Sequence, residues 1–518
     1  MLSRDMERHR LVRDLPPLKE VWDIIVIGGG ATGLGIAVDA ATRGYRVLLA
    51  ERDDFAKGTS SRSTKLVHGG VRYLAQGNVK LVREALRERG HLLRNAPHLT
   101  RQQDFIVPTY SRWDKLFYGT GLLTYDLLAG RLGIGQSRFL DKQEVLQRLP
   151  LADRKGLCGG IEYFDGQFDD ARLAVGLART AAEHGAAVFN HLAVTGLLHE
   201  AKKVSGVVLR DAFSGLTYEV RAKAVVNATG VFVDDVIRMD APDSPRLVAP
   251  SQGVHIVLER SFFPTDSALM IPKTDDGRVL FALPWQGHVV VGTTDTPVEE
   301  VLREPLPLRE EISFIIFHVN KYLRTEVRES DVRSVFTGLR PLVRASNTGN
   351  TALLSRDHTI VVSASGLVSI TGGKWTTYRK MAKDAVDNAA FVGKLGKRPC
   401  ITEQLRLHGW VSNVDRQDLL VGYGADAEPI RELMKEDPLL AEQLHPGHPY
   451  TMAEVAWSFR HEMAMTVEDV LARRLRLLFL DARAAIEAAP KVEAMRARLL
   501  GGPSQLAAFL DLAKGYLP

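Results

Sequence analysis

The sequence has few cysteines and no long run of apolar residues. Its 518 residues include only two cysteines, Cys158 and Cys400, which do not form a C-x-x-C pair. This excludes a disulfide framework and a zinc knuckle and is typical of a reducing compartment, so we expect two buried free thiols. No window holds the roughly twenty apolar residues that a membrane-spanning helix needs. The sequence therefore predicts a chain that does not span a membrane.

Targeting segments, repeats and nucleic-acid-binding modules are also missing from the sequence. The first residues carry charges of both signs and no apolar run, so we expect neither a secretory signal peptide nor a transit peptide. There is no internal repeat and no stripe of basic and aromatic residues, which argues against a nucleic acid partner. The formal net charge of +5 favours an anionic partner, either a substrate or a lipid headgroup.

Length and composition indicate several domains. Residues 1–20 form a charged preface, and residues 21–395 are predicted to form a discontinuous dinucleotide-binding domain. A substrate or cap domain is interleaved with it at about residues 75–165 and 245–345, where strand-like segments recur. Residues 396–518 are predicted to form a helical domain, because the segment from Ala453 is rich in Ala, Leu, Arg and Glu, with Pro490 as a break.

The most specific motif is a glycine-rich turn that follows an apolar strand. The turn, residues 28–33, has the pattern G-x-G-x-x-G, and a second apolar strand ends at Glu51. Gly28 permits the tight turn, Gly30 lets the backbone approach a pyrophosphate, and Gly33 lets the following helix pack against the sheet. The helix N-terminus favours phosphate, and the Glu51 carboxylate suits a ribose 2′-hydroxyl. The motif predicts a bound dinucleotide.

A second element favours FAD over NAD. Residues 224–230 form an apolar strand that ends in Ala-Thr-Gly, which would bring backbone close to the same cofactor; an ordinary buried strand and turn is the alternative. A β-α-β unit interrupted by an inserted sheet is a flavoprotein layout. Asp169 and Asp170 precede an apolar helix and are expected to cap it. No metal site is expected, because no histidine or third acid stands at ligand spacing.

Three loops place a cation beside glycine or proline. The cations are Arg72, Arg340 and Lys374. A solvated side chain is the usual interpretation of any one of them. Three in rigid loops would instead form a pocket for a dianion such as a phosphate ester, where arginine offers bidentate hydrogen bonds and lysine a point charge. We expect the three to converge on one face of the cofactor.

With these motifs in this order, the chain resembles the FAD-dependent, membrane-associated glycerol-3-phosphate dehydrogenases, of the D-amino-acid-oxidase-like class of flavoproteins. The resemblance runs from about Trp22 to the C-terminus and rests on residues 58–65, 68–74, 292–295, 338–342, 372–374 and 467–474. Thr371 and Trp375 depart from it, because Phe and Leu are expected there. The implied fold is α/β, with a Rossmann-like FAD-binding domain, an antiparallel-sheet substrate domain and a C-terminal helical domain.

The resemblance also implies noncovalent FAD and a set of site residues. Those implied to contact FAD are Gly28, Gly30, Gly33, Glu51, Thr59, Ser60, Ser63, Lys65, His68, Gly69, Gly70, Val194, Ala228, Gly230, Gly373, Thr376 and Thr377. Those implied to hold the substrate are Arg72, Tyr73, His255, Arg340 and Lys374. His255 is the predicted general base, since an unperturbed histidine titrates near neutrality, although a core histidine is the alternative. Arg340 or Lys374 would stabilise developing alkoxide charge.

The implied reaction is oxidation of sn-glycerol 3-phosphate to dihydroxyacetone phosphate, with hydride passed to flavin N5 and electrons to membrane quinone. The implied location is the cytoplasm, bound peripherally to the inner face of the cell membrane, and a homodimer is left open. Two alternatives remain: a soluble glycerophosphate oxidase that uses oxygen, and a flavin-binding sensor or interaction protein without turnover.

One segment bears on membrane contact. Residues 112–131 place apolar side chains on one face of a helix, with cations on either side; these side chains are Trp113, Leu116, Phe117, Leu123 and Leu127. The pattern suits a helix that lies on an anionic lipid surface, and it also suits a helix packed on a protein core.

Overall fold

The computed structural model describes residues 20–70, 78–344 and 358–518. The strands are β1 (Trp22–Ile27), β2 (Val47–Ala50), β3 (Leu66–Val67), β4 (Thr100–Thr109), β5 (Arg138–Leu140), β6 (Gly159–Phe168), β7 (Ala187–Phe189), β8 (Leu192–Glu200), β9 (Lys203–Asp211), β10 (Thr217–Asn227), β11 (Val248–Glu259), β12 (Ala268–Ile271), β13 (Leu280–Trp285), β14 (His288–Gly292), β15 (Thr296–Pro297), β16 (Ser334–Val343), β17 (His358–Val362), β18 (Val368–Gly372), β19 (Gln443–His445) and β20 (His448–Thr451). The α-helices are α1 (Ala31–Thr42), α2 (Val79–Asn95), α3 (Arg112–Ala129), α4 (Lys142–Arg148), α5 (Asp170–Glu183), α6 (Val233–Asp240), α7 (Arg309–Tyr322), α8 (Tyr378–Val392), α9 (Ala427–Glu436), α10 (Met452–His461), α11 (Leu477–Leu480), α12 (Ala482–Leu500) and α13 (Leu506–Lys514).

The first sheet has the strand order β17-β18-β10-β1-β2-β7, and β9 joins β10 to β8. The strands β18, β10, β1, β2 and β7 run parallel. Apolar residues of α1, α5 and α8 cover one face, and β8 and β9 contribute to the core on the other. Because the carboxyl ends of parallel strands open on one edge, the sheet predicts a ligand cleft at that edge.

The second sheet has the order β15-β11-β14-β13-β12-β4-β6-β3, with β16 paired to β11 and β5 to β6. All of these pairs are antiparallel except β12 with β4. The register of β11 with β16 places His255 opposite Phe336 and Ser251 opposite Arg340. This sheet therefore carries two of the predicted site residues on adjacent strands.

The C-terminal region packs five helices and the β19–β20 hairpin around an apolar core that it shares with Val257, Trp285, Val290 and Phe336 of the second sheet. Helix α12 continues through Pro490, so the predicted break is wrong. Buried Ala485, Ala489 and Val492 hold the helix in the core on both sides of that proline, and this packing offsets the hydrogen bond that proline removes.

Two further expectations concern the surface. Both cysteines are free, but Cys158 is exposed and Cys400 is only half-buried, so the prediction of two buried thiols is wrong. Cys158 lies between a turn and the start of β6, at a strand end where the sheet does not cover it. Within the three described ranges, no helix combines the length and apolarity that crossing a bilayer requires.

Candidate active site

A cavity of about 390 Å³ opens at the carboxyl ends of β1, β2, β10 and β18. Of the residues predicted to contact a cofactor, twelve line it: Gly28, Gly30, Glu51, Thr59, Ser60, Ser63, His68, Val194, Ala228, Gly230, Gly373 and Thr376. His255, Arg340 and Lys374 line the same cavity. The structure thus brings segments separated by more than 300 residues onto one wall, where the parallel sheet predicts a ligand.

The glycine-rich turn leaves a cradle that side chains would fill. Gly28 has a φ of +107°, and a Cβ there would stand 2.7 Å from the carbonyl oxygen of Ala228. A Cβ at Gly33 would stand only 1.9 Å from the carbonyl oxygen of Gly28. Gly33 does not line the cavity and serves helix-to-turn packing, which is the part assigned to it from the motif.

Polar contacts fix the loop that follows β2. The Glu51 carboxylate accepts hydrogen bonds from the backbone N–H groups of Gly29 (2.6 Å) and Asp53 (2.8 Å). The Ser60 hydroxyl accepts from the N–H of Ala31 at 2.9 Å, in the first turn of α1. The wall is therefore held by its own hydrogen bonds before a ligand enters.

The two departures from the family pattern join segments of this wall. The Trp375 indole N–H donates to the carbonyl of Ser60 at 2.7 Å, and the Thr371 hydroxyl donates to the carbonyl of Gly230 at 3.1 Å. Neither side chain removes a cation from the cavity. Both hydrogen bonds join elements of the cleft.

Among the described residues, four further predicted cofactor contacts do not line the main cavity. Lys65 is completely buried, and its ammonium donates to Asp170 Oδ2 at 2.7 Å and to the carbonyl of Ser61 at 2.8 Å. The Thr377 hydroxyl donates to the carbonyl of Lys374 at 3.2 Å. The geometry therefore gives Lys65 a structural ion pair in place of the predicted side-chain contact with the cofactor. The other two, Gly69 and Gly70, belong to the loop after β3.

His255 is buried at 2% exposure in β11 and stacks on Phe336, with ring centroids 4.8 Å apart. Its Nε2 lies 2.9 Å from the Thr64 hydroxyl, and its Nδ1 has no hydrogen-bond partner among the described residues. Burial, together with the charges of Lys65 and Arg340, holds the pKa of His255 well below its usual value. The ring is neutral at pH 7 and retains a nitrogen that can accept a proton.

Arg340 is oriented by four protein acceptors. Its Nη1 donates to the carbonyl of Gln252 (3.2 Å) and to Asp295 (3.1 Å), and its Nη2 donates to the Thr293 hydroxyl (3.1 Å) and the Thr294 carbonyl (2.9 Å). Since both Nη atoms already donate to protein, Arg340 contributes its positive field to the cavity in place of the predicted bidentate fork. Lys374 lines the same cavity as Arg340, and the convergence of the cations stays a prediction. Arg72 and Tyr73 lie outside the described residues.

A second cavity of about 180 Å³ adjoins the first and shares Thr64, Leu66, His68 and Arg340 with it. Gly70 and Asp165 also line it. On its far side the Tyr125 hydroxyl accepts a hydrogen bond from the N–H of Gly69 and donates to Asp165, each at 2.7 Å. Arg89 completes this buried group by donating to Asp165 at 2.8 Å.

The structure brings together one cluster that the sequence did not predict. Ligand-type atoms of Asp54, His191 and Asp469 lie within 4.8 Å of one another. Arg473 and Arg474 donate to Asp54, and Arg473 also donates to Asp469. A cation would have to displace these two guanidinium groups, so the cluster is best described as an ion-pair network.

Several site residues were missed by sequence reasoning. Thr64, Asp295 and Tyr125 contact or orient predicted residues, yet none was assigned a role. Thr64 and Asp295 stand inside quoted motifs, so their proximity to predicted residues was the available signal. Tyr125 had no such signal, because it lies outside every motif that predicted a site residue.

The comparisons with known proteins agree with this geometry. The chain matches the family model for the FAD dependent oxidoreductases over residues 23–379, and the model for the C-terminal domain of alpha-glycerophosphate oxidase over residues 367–504. It is 42% identical to the mitochondrial glycerol-3-phosphate dehydrogenase of Mesocricetus auratus, over 92% of this chain and 70% of that protein. It is 41% identical to the probable mitochondrial glycerol-3-phosphate dehydrogenase of Caenorhabditis elegans, over 96% of this chain and 73% of that protein.

A solved structure is similar along the whole chain. The glycerol-3-phosphate dehydrogenase from Bacillus halodurans, complexed with FAD, superposes with a TM-score of 0.81 at 29% identity, covering 99% of this chain and 98% of that one. These findings confirm the predicted α/β fold with its C-terminal helical domain, and FAD as the cofactor. The chain belongs to the family of FAD-dependent glycerol-3-phosphate dehydrogenases.

Proposed function

We propose that this chain oxidises sn-glycerol 3-phosphate to dihydroxyacetone phosphate and passes the electrons to a membrane quinone. The observation that carries the proposal is that a buried, neutral His255 lies near Arg340 and lines the FAD cleft together with Arg340 and Lys374. The names of the relatives support the substrate, because they are glycerol-3-phosphate dehydrogenases.

The residues of the cleft fit FAD. The turn at Gly28 and Gly30 leaves room for a pyrophosphate at the N-terminus of α1, and Glu51 stands at the end of β2, where a ribose hydroxyl is expected. Bound FAD supplies a two-electron acceptor for the hydride on C2 of the alcohol. The protein must then bind the substrate, orient C2 and take the hydroxyl proton.

We assign that proton to His255, whose lowered pKa makes it a weaker base than a free histidine. A neutral imidazole accepts a proton, and Thr64 and Phe336 fix the ring by a hydrogen bond and by stacking. The nearby charges of Lys65 and Arg340 disfavour the imidazolium form. The proton therefore has to leave the site after the reaction, and the same charges favour its departure.

Arg340 and Lys374 supply the positive field of the pocket. A phosphate ester carries about two negative charges, and the alkoxide that develops at C2 adds a third. Asp295 fixes the guanidinium of Arg340 and offsets part of its charge. This arrangement favours orientation of the substrate over maximal affinity.

Flavin bleaching tests the reaction. Purified holoprotein is mixed anaerobically with glycerol 3-phosphate, and the flavin absorbance is expected to fall. His255→Gln should slow bleaching by about 10²–10⁴-fold with little change in substrate affinity. His98→Gln is the matched control, because His98 is also buried but does not line either cavity. A wild-type flavin that stays oxidised contradicts the proposed reaction, and an equal loss of affinity in His255→Gln contradicts its role as base.

The exposed face of α3 supports membrane contact. Trp113 and Leu127 are each 81% exposed and Phe117 is 66% exposed, while Leu122 and Tyr125 on the other face are buried. The apolar stripe is therefore not core packing. An aromatic and aliphatic face beside exposed Arg112 suits the surface of an anionic bilayer. On this basis we propose peripheral binding to the inner face of the cell membrane, with delivery of electrons to quinone there. A homodimer stays a prediction.

Two measurements separate this proposal from the oxidase alternative. The double variant Trp113→Ser/Leu127→Ser should lose flotation with anionic vesicles, whereas Phe391→Ser, which changes an 85% exposed residue of α8, should float normally. Peroxide formed in air at the rate of substrate oxidation would establish an oxidase. Rapid reoxidation by a quinone analogue without peroxide supports the dehydrogenase.

A further inference from the structure

The C-terminal region holds the loop that shapes the FAD cleft. We call residues 54–65 the cofactor loop. The ammonium of Lys57 donates to Glu468 at 2.8 Å, and Asp54 accepts from Arg473 at 2.6 Å and from Arg474 at 2.7 Å. Asp54, Arg473 and Arg474 are buried, and Arg473 also donates to Glu468 and Asp469, so these charges form one network.

Arg476 makes a further contact between the C-terminal region and the cofactor loop. Its backbone φ of +66° is in the left-handed region, two residues after the end of the π-helical turn Asp469–Arg474. Its side chain is 1% exposed and lies over the ring of Phe479, 4.2 Å from the centroid. Left-handed backbone at a non-glycine residue and π-turns both concentrate at functional sites. The guanidinium is thereby aimed out of the C-terminal region.

The guanidinium of Arg476 donates hydrogen bonds to Ser61 of the cofactor loop and to Asp170, which binds the same loop. Nη2 donates to the carbonyl of Ser61 at 2.7 Å and to Asp170 at 3.2 Å, while Nη1 returns to the carbonyl of Ala472. The Ser61 carbonyl is shared with the ammonium of Lys65. Two cations from different domains therefore meet on one backbone oxygen and one carboxylate.

Asp170 also accepts hydrogen bonds from two other residues of the cofactor loop. It accepts from the Ser63 hydroxyl at 2.7 Å and the Ser63 N–H at 3.1 Å, and from Lys65 at 2.7 Å. Thr64 stands between these two residues, and its hydroxyl lies 2.9 Å from Nε2 of His255. Asp169, by contrast, caps α5 as predicted. Arg476 is thus linked to His255 through its hydrogen bond to Asp170, through the peptide units on either side of Thr64, and through the Thr64 hydroxyl.

We propose that Arg476 is a positioning residue that fixes residues 61–65 against FAD and, through Thr64, fixes the orientation of His255. The proposal rests on the proposed function insofar as His255 takes the substrate proton. Removal of the guanidinium leaves Asp170 with one cation in place of two and the Ser61 carbonyl with one donor in place of two. Ser63 and Thr64, which line the cleft, then lose their fixed position.

The test compares two substitutions at Arg476 with a matched control. Arg476→Met keeps the length and apolar contacts of the side chain, and Arg476→Lys keeps its charge but loses the fork that joins three acceptors. Arg179→Met is the control, because Arg179 is a buried arginine of α5 that pairs with Asp426 of the C-terminal region away from the cofactor loop. Each holoprotein is assayed for the rate of flavin reduction by glycerol 3-phosphate, substrate affinity, FAD release on dilution and the visible spectrum of bound flavin.

Arg476→Met should reduce its flavin at least tenfold more slowly and release FAD at least tenfold faster, with substrate affinity changed less than threefold. Arg476→Lys should recover the rate to about threefold below wild type. Arg179→Met should lower the unfolding temperature and leave the other measurements unchanged.

A wild-type reduction rate in Arg476→Met overturns the proposal, as does an equal slowing in Arg179→Met. If Arg476→Met does not fold, Arg476→Lys decides: a rate about threefold below wild type supports the positioning role, and a wild-type rate overturns it. If glycerol 3-phosphate fails to reduce wild-type flavin, the proposed function fails. FAD release and the flavin spectrum then still decide whether Arg476 fixes the loop.

Discussion

Replacement of Tyr125 by phenylalanine isolates the contact between α3 and the loop after β3. The hydroxyl of Tyr125 accepts from the N–H of Gly69 and donates to Asp165, and the residue is completely buried. Burial and the neighbouring Asp165 carboxylate hold the pKa of Tyr125 well above its usual value, so the hydroxyl keeps its proton. Tyr125→Phe removes one oxygen and leaves the ring in place.

The expected loss of free energy follows from the hydrogen-bonding groups that lose the Tyr125 hydroxyl as a partner. A buried backbone N–H without an acceptor costs about 1–3 kcal/mol, and Asp165 also loses a donor although Arg89 remains. The loop can avoid this cost by moving Gly69 toward water, which displaces Gly70 from the second cavity. Since about 1.4 kcal/mol is a factor of ten, the equilibrium between this conformation of the loop and the displaced one shifts by about 5–150-fold. Substrate affinity should fall by the same factor.

Two measurements on the purified protein check this expectation. Urea denaturation gives the free energy of unfolding, and the dependence of the anaerobic flavin-reduction rate on glycerol 3-phosphate concentration gives the affinity. Tyr45→Phe is the control, because buried Tyr45 donates to the carbonyl of Gly396, and neither residue lines a cavity. If Tyr125→Phe loses stability to the same extent as Tyr45→Phe but binds substrate normally, the link between Tyr125, the loop after β3 and substrate binding is refuted.

Two other predictions concern packing and pH. Gly33→Ala should lower the free energy of unfolding by about 1–3 kcal/mol and weaken FAD binding at least tenfold in an apoprotein titration, because its Cβ would stand 1.9 Å from a backbone oxygen. Gly422→Ala, whose Cβ would meet no described heavy atom within 4 Å, should change neither quantity. Burial lowers the pKa of His98 to about 4, so below pH 6.5 the unfolded chain binds a proton that the folded chain does not. The free energy of unfolding should therefore fall by about 3 kcal/mol between pH 6.5 and pH 4, and His98→Gln should remove that part of the slope in urea titrations.

Local rules allowed the cofactor side of the site to be predicted from sequence. The positive φ of Gly28 and the close approach at Gly33 are demands of a tight turn between a strand and a helix, and they involve neighbours in sequence. Glu51 follows from the spacing of the second strand. These residues occupy the positions that the motif assigned to them.

The catalytic side depended on contacts between distant segments. The low pKa of His255 arises from burial and from two cations brought near by other strands and loops, so its sequence neighbours gave no sign of it. Lys65 was assigned to FAD because its motif surrounds the cofactor, yet Asp170, 105 residues away, binds it in the interior. The period of α3 showed which side chains share a face, but only the fold showed that this face is exposed.

The hydrogen bond between Arg476 and Ser61 has a consequence for biosynthesis. The two residues are 415 positions apart, so a ribosome adding about 5–20 residues per second makes Arg476 about 20–80 s after Ser61. The glycine-rich turn, residues 28–33, has therefore left the ribosome long before Arg476 is made. Flavin captured by the nascent chain would be held by an unfinished wall, and secure loading has to await release of the complete polypeptide.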